Sequence, residues 1–251
     1  MKKTLALCLV ALFCAMNVSA QVEKFGICDH LGAGLSVGTD GIGIEVATTL
    51  TDYVAVRAGV SIVPRFKYGF DVSSYGSSVV TKDKVRAEGK LKKTDFKLLF
   101  DIYPFRSSSF RITTGAYIGS SKIISVYNTE PFLNPTDWGK AGIVLGDYRI
   151  TSDQQGNVSA DIKVSGFKPY VGIGFGRAVP RKRFGFSFDL GVQFWGKPGV
   201  YTTTKDEFGD SYYRKLTKEE VDNDDADKFF DIMSKIRVYP VLSFRLAGRI
   251  L

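Results

Sequence analysis

The chain has 251 residues, with 34 Lys and Arg against 26 Asp and Glu for a formal charge of +8, and 44% hydrophobic residues. That is ample for one domain, and the modest positive excess in an exported, alternating chain excludes nucleic acid as the natural partner and points to an anionic lipid leaflet. One histidine and three cysteines leave little for general-base, nucleophilic or zinc chemistry.

The chain opens as an export signal. Lys2 and Lys3 precede an apolar run over 5–18, which ends Val18-Ser19-Ala20 before Gln21. A basic start, an apolar centre and small residues at the cleavage point define a secretory signal peptide over 1–20, leaving 21–251 as the exported domain. A lipoprotein signal around Cys14 fails because Phe13 stands where a small residue is needed. Cys8 and Cys14 leave with the leader, so only Cys28 remains and no intramolecular disulfide can form. Cys28 lacks a basic partner and reads as a buried or periplasmic thiol. No later stretch is apolar for long enough to make a membrane helix.

Eight segments then alternate with a period of two, the signature of half-buried strands. Leu31, Ala33, Leu35 and Val37 alternate with Gly32, Gly34, Ser36 and Gly38. A Gly38-Thr39-Asp40-Gly41 turn leads to Ile42, Ile44 and Val46 against Gly43, Glu45 and Ala47. Val54, Val56, Val60 and Ile62 follow, with Arg57, Gly59 and Ser61 between them. Phe96, Leu98, Phe100 and Ile102 face away from Asp95, Lys97 and Asp101; Phe110, Ile112, Ala116 and Ile118 face away from Arg111, Thr113, Gly115 and Tyr117. Phe167, Val171, Ile173 and Phe175 oppose Lys168, Tyr170, Gly172 and Gly174.

The clearest segment sets Phe184, Phe186, Phe188, Leu190, Val192 and Phe194 against Gly185, Ser187, Asp189, Gly191 and Gln193. The last sets Ile236, Val238, Leu242, Phe244, Leu246 and Ile250 against Arg237, Ser243, Arg245 and Arg249. Every charge shares the phase of the glycines. On a barrel's lipid face a charge costs roughly 2–4 kcal/mol at the bilayer midplane, so this segregation is what membrane exposure selects. In the clearest strand, Leu190 is expected to reject an arginine that Gln193, on the opposite phase, accepts better.

Short connections at 50–52, 104–109 and 177–183 alternate with long ones at 64–94, 121–164 and 196–235. Short turns at one end and long loops at the other are the habit of bacterial outer-membrane barrels, and closure removes the strand edges that lipid does not tolerate. The fold predicted is therefore all-β: an eight-stranded antiparallel up-and-down transmembrane β-barrel with long external loops. The rival, a soluble barrel with an apolar cavity, would put its charges outside and its bulky apolar side chains inside.

These residues also resemble a family. Residues 169–176 (Pro-Tyr-Val-Gly-Ile-Gly-Phe-Gly), Gly-Phe-Ser-Phe-Asp-Leu-Gly at 185–191 and Gly-Lys-Pro-Gly-Val at 196–200 look like small outer-membrane barrels of the CarO type. The acidic segment 219–227 followed by Val238-Tyr239-Pro240-Val241 is similar to that family's closing section, and Val37-Gly38-Thr39-Asp40-Gly41 to its opening hairpin. The likeness is strong over 167–251 and weak over 64–164. It implies an eight-stranded barrel in the outer membrane, related to OmpA- and OmpW-like membrane barrels. For some members small basic amino acids such as ornithine are the implied cargo. Such chains usually end in Phe or Trp, the assembly signal, whereas this one ends Arg249-Ile250-Leu251.

His30, the only histidine, precedes the first strand and reads as a rim residue, so no catalytic residue is assigned and no enzyme is expected. No cofactor or metal is expected either. The candidate site is the lumen, with Glu45, Asp95, Asp101 and Asp189 against Arg57, Lys97, Arg111, Lys168, Arg237 and Arg245, and Arg249 beyond them. A barrel of eight strands is only wide enough for side chains to fill, which favours a plug of paired charges. The alternative is a polar path lined by the positive excess.

In the last long segment, Thr217 and Glu220 have capping-box spacing for a short helix over 218–234. The acidic run 222–227 fails as a calcium loop because Asp227 occupies the position of its glycine. Segment 121–164 carries Trp138 and a turn-rich Asn134-Pro135-Thr136-Asp137, suited either to capping the barrel mouth or to contacts with the outside. Two functions follow: a narrow channel or binding site for small polar solutes, or a closed barrel whose external loops meet a partner. Outer-membrane lipid and the barrel-assembly machinery are the expected partners, with small polar solutes added under the first.

Overall fold

Each of the eight alternating segments forms a strand. The computed structural model describes residues 30–75, 84–129, 133, 135–145, 148–205, 211–216 and 236–250. The leader, Cys28, the capping box and the acidic run 219–227 lie outside the described residues. In chain order the strands are β1 (Leu31–Gly38), β2 (Gly41–Thr51), β3 (Val54–Tyr75), β4 (Lys84–Ile102), β5 (Phe110–Gly119), β6 (Lys122–Asn128) and β7 (Gly142–Leu145). They continue with β8 (Tyr148–Thr151), β9 (Ser159–Lys163), β10 (Phe167–Phe175), β11 (Phe184–Phe194), β12 (Gly199–Lys205), β13 (Ser211–Lys215) and β14 (Val238–Arg249). Among the described residues the one helical element is a 3-10 turn, Pro135–Asp137.

Strands β1, β2, β3, β4, β5, β10, β11 and β14 pair antiparallel in that order. β14 then pairs back onto β1, from Gly32–Arg249 to Gly38–Ser243, and the ring closes. This is a closed eight-stranded antiparallel barrel. Its outer wall is apolar and exposed: Leu35, Ile44, Ile62, Phe96, Ile118, Phe186 and Phe244 are among the side chains that point away from the lumen. A soluble protein does not carry an apolar patch that encircles it. The inside-out distribution is that of a transmembrane barrel.

The segments read as long loops hold more strand than their sequence suggests. β3 has 22 residues and β4 has 19, whereas about 9–11 suffice to cross a bilayer. Both run on past a register shift at Val63/Phe66 and project beyond the barrel. There β6 adds to β4, β9 to β6, β12 to β9 and β13 to β12, while β7 and β8 extend the free edge of β3. The result is an open sheet standing over the long-loop end. Its inner face buries Val72, Ala87, Ile124, Val126, Ile143, Ile150, Ala160, Ile162 and Val200 in one core with Trp195. That core sits on the mouth of the barrel.

Candidate functional site

Strand phase decides what reaches the lumen, because successive side chains point to opposite faces. Glycines in the inward phase leave room for the charged chains that share it. An added Cβ at Gly34 would stand 2.9 Å from Arg245 Nε, at Gly59 2.8 Å from Glu45 Cγ, and at Gly174 2.7 Å from Asp189 Oδ1. At Gly174 it would also lie 2.8 Å from the Phe188 carbonyl oxygen, a backbone atom that cannot swing aside. Gly174→Ala is therefore expected to destabilise the barrel by about 1–3 kcal/mol, the range for overpacking. Gly69→Ala, where the nearest atom is 3.8 Å away, should leave the urea midpoint in detergent unchanged; equal midpoints for the two variants would refute the tight seating of Asp189.

The lower and middle lumen hold one connected network. Arg57 lies at its centre, with Nε 2.7 Å from Asp101 Oδ2, Nη1 3.0 Å from Asp189 Oδ2 and Nη1 3.4 Å from Glu45 Oε2. Arg111 Nη2 donates to both oxygens of Asp189, at 2.8 and 2.9 Å, and its Nη1 donates to the Gly176 carbonyl. The Thr113 hydroxyl donates to Asp101 at 2.7 Å. Glu45 extends the network to Lys97 (2.6 Å) and Arg245 (3.2 Å), and Lys97 reaches Asp40 at 3.6 Å. Asp40, Glu45, Asp101 and Asp189 thus balance Arg57, Lys97, Arg111 and Arg245, and all eight are buried. Charges taken this far from water are tolerated only when paired and hydrogen-bonded. Here they are.

A second cluster lies nearer the long-loop end. Asp95 sits between Lys168 (2.7 Å) and Lys93 (3.2 Å), and Lys168 also donates to the Ser120 carbonyl. Lys93 Nζ donates to Gln193 Oε1 at 3.0 Å and stands 4.9 Å from the Tyr239 ring centre, 5.4 Å from Trp195 and 5.9 Å from Tyr117. Trp195 and Tyr239 stack at 4.5 Å, and the Trp195 indole donates to the same Gln193 oxygen. Three aromatic rings and a carboxylate around one ammonium group make a cation box. The chain fills it with its own lysine.

Of the ten residues assigned from sequence, Glu45, Arg57, Asp95, Lys97, Asp101, Arg111, Lys168, Asp189 and Arg245 are buried in the lumen. Arg237 is a correction: it is exposed and lies just before β14, at the long-loop end of the barrel, where its carbonyl accepts from the Trp195 N–H at 2.8 Å. Arg249 is half-buried at the short-turn end, where its guanidinium donates to the Arg181 carbonyl. Lys93 and Asp40 were missed. Lys93 continues the phase of Asp95 and Lys97 but lies within 64–94, where the sequence predicts a loop, and Asp40 stands in a turn motif. Gln193 is fully buried on the inward face, as its phase predicts, and holds Lys93, so an arginine there would set a second cation against the first.

No protein-family model matches the sequence, and no curated protein does. Among solved structures, the chain is similar to the crystal structure of Acinetobacter baumannii CarO, at 15% identity and a TM-score of 0.46, covering 86% of this chain and 96% of that one. It is similar to that of Acinetobacter baumannii CarO2 at 16% identity and a TM-score of 0.46, covering 90% of this chain and 99% of the other. The barrel assignment rests on the closed strand register of the chain itself.

Proposed function

We propose that the protein is an outer-membrane barrel with a closed lumen, serving the envelope through its external sheet rather than as an open pore. The observation that carries this is the lumen filling. A charge-balanced buried network occupies its middle, and an apolar core covers the mouth above it. An aqueous path would leave such groups wet. The signal-peptide reading of the first residues and the apolar outer wall support export to the outer membrane.

The test is the purified protein in planar bilayers together with a solute-swelling assay on vesicles. It should fractionate with outer membranes, run faster unheated than boiled on a denaturing gel, and show no steady conductance. Sustained conductance with swelling in small amino acids would overturn the closed reading; recovery as a detergent-free periplasmic monomer would overturn the membrane reading.

One observation favours the alternative of a narrow path for small basic solutes. The box around Lys93 is built for an ammonium group and lies at the entrance. On that reading an incoming cation displaces Lys93. Swelling selective for cationic solutes, increased by Lys93→Ala, is the outcome that would establish it.

A further inference from the structure

Residues at even positions of β4 form one continuous outward row. Phe100, Leu98 and Phe96 are exposed on the lipid-facing wall, Thr94 follows, and then come Lys92, Lys90 and Glu88 on the outer face of the external sheet. Four residues beyond Phe96 on a tilted strand, Lys92 stands about 10 Å above it. That is the depth of lipid headgroups, which lie just outside the hydrocarbon core.

Cations recur across this face. Lys67 is in register with Lys90, and Lys122 with Lys163. Two of the carboxylates on this face, Glu88 and Asp161, are already engaged. Glu88 pairs with Lys67 at 3.3 Å and accepts from Tyr127, while Asp161 pairs with Lys122 at 2.6 Å and accepts from Ser125 and Tyr213 at 2.6 and 2.7 Å. Lys90 and Lys163 lie over aromatic rings, 4.8 Å from Tyr127 and 3.8 Å from Tyr213, instead of on acids. Asp71 and Arg86, exposed and in register with each other, add one charge of each sign to the same face, so five lysines and Arg86 against three carboxylates keep a positive excess.

We propose that this outward face binds the phosphorylated headgroups of the lipids that surround the barrel, an inference that rests on the outer-membrane reading above. The wall supplies the geometry, since the face rises directly from the lipid belt and a soluble partner would have to share it with lipid. The lysines supply the charge complement. Phosphate on a lipid is held at the right height by its own acyl chains, whereas free phosphate is not. Lipid is therefore the occupant.

The experiment uses the full mature chain in neutral phosphatidylcholine nanodiscs, with retention of added lipid A read by native mass spectrometry. Bis-phosphorylated lipid A should be retained at least about tenfold better than the phosphate-free form. Each of Lys92→Gln, Lys122→Gln and Lys163→Gln should weaken that preference roughly fivefold, as expected for a basic residue near a charged surface. Lys182→Gln, exposed at the short-turn end, should leave it unchanged. Equal retention of the phosphate-free lipid, an unchanged preference in the triple variant, or inorganic pyrophosphate competing as strongly as the lipid would each overturn the proposal. A chain that fails to insert and shows no heat-dependent gel shift refutes the membrane reading itself. One that inserts without lipid preference refutes only this inference.

Discussion

Asp189→Ala is expected to destabilise the barrel by about 3–5 kcal/mol, the cost of leaving a buried charge without its partner. The carboxylate joins two guanidinium groups that are otherwise close neighbours: Arg57 and Arg111 both reach it within about 3 Å, and both also share Asp101. Without Asp189, Arg111 keeps only Asp101, which it must share with Arg57, and Glu45, the other carboxylate near Arg57, is already shared with Lys97 and Arg245. Removing one charge of each sign should restore most of the loss. Asp189→Asn with Arg111→Gln keeps the balance and should recover most of the urea midpoint in detergent, even though three ion pairs are gone. If the double variant is no more stable than Asp189→Ala, the lumen is wet and its charges are not a plug. The same variants report on passage. A plug loosened at Asp189 should raise conductance as stability falls. In a cation path the loss of this carboxylate should instead cut solute flux with little change in midpoint.

The position of Asp189 was legible in the sequence, because a strict period of two fixes its face once its strand is recognised. Its partners were not. Arg57 lies 132 positions away on β3, which does not neighbour β11 in the sheet. The two meet across the lumen, so their contact depends on barrel closure and diameter, which no local pattern encodes. The external sheet was hidden for a different reason. Over 84–91 the alternation is between charges and small residues, Arg86-Ala87-Glu88-Gly89-Lys90, and such a strand has little amphipathic contrast until neighbouring strands cover Ala87 and Leu91. Lys93 shows how the two failures combine. Its phase matches Asp95 and Lys97, but it lies in 64–94, where sequence predicts a loop, and the box of Gln193, Trp195 and Tyr239 is assembled from strands far apart in sequence.

Leu190→Arg should all but abolish assembly into lipid vesicles. Leu190 is 47% exposed on the outer wall, midway along β11, and it is flanked there by Ile173 on β10 and Leu242 on β14. An arginine at that depth costs roughly 2–4 kcal/mol, and it has no carboxylate on its own face to offset the loss. Phe184, the first residue of the same strand, is 71% exposed at the short-turn end. The penalty falls to roughly 0–1 kcal/mol near the interface, where a long side chain can reach the headgroups. Phe184→Arg should therefore fold with nearly normal yield, read as the heat-sensitive shift on an unboiled gel after dilution from urea into vesicles. One strand carries both substitutions, and local strand propensity cannot separate them. Depth in a hydrocarbon layer can. Similar yields for the two variants, or normal folding of Leu190→Arg, would mean that the outer wall does not meet lipid and that the inside-out chemistry has another cause.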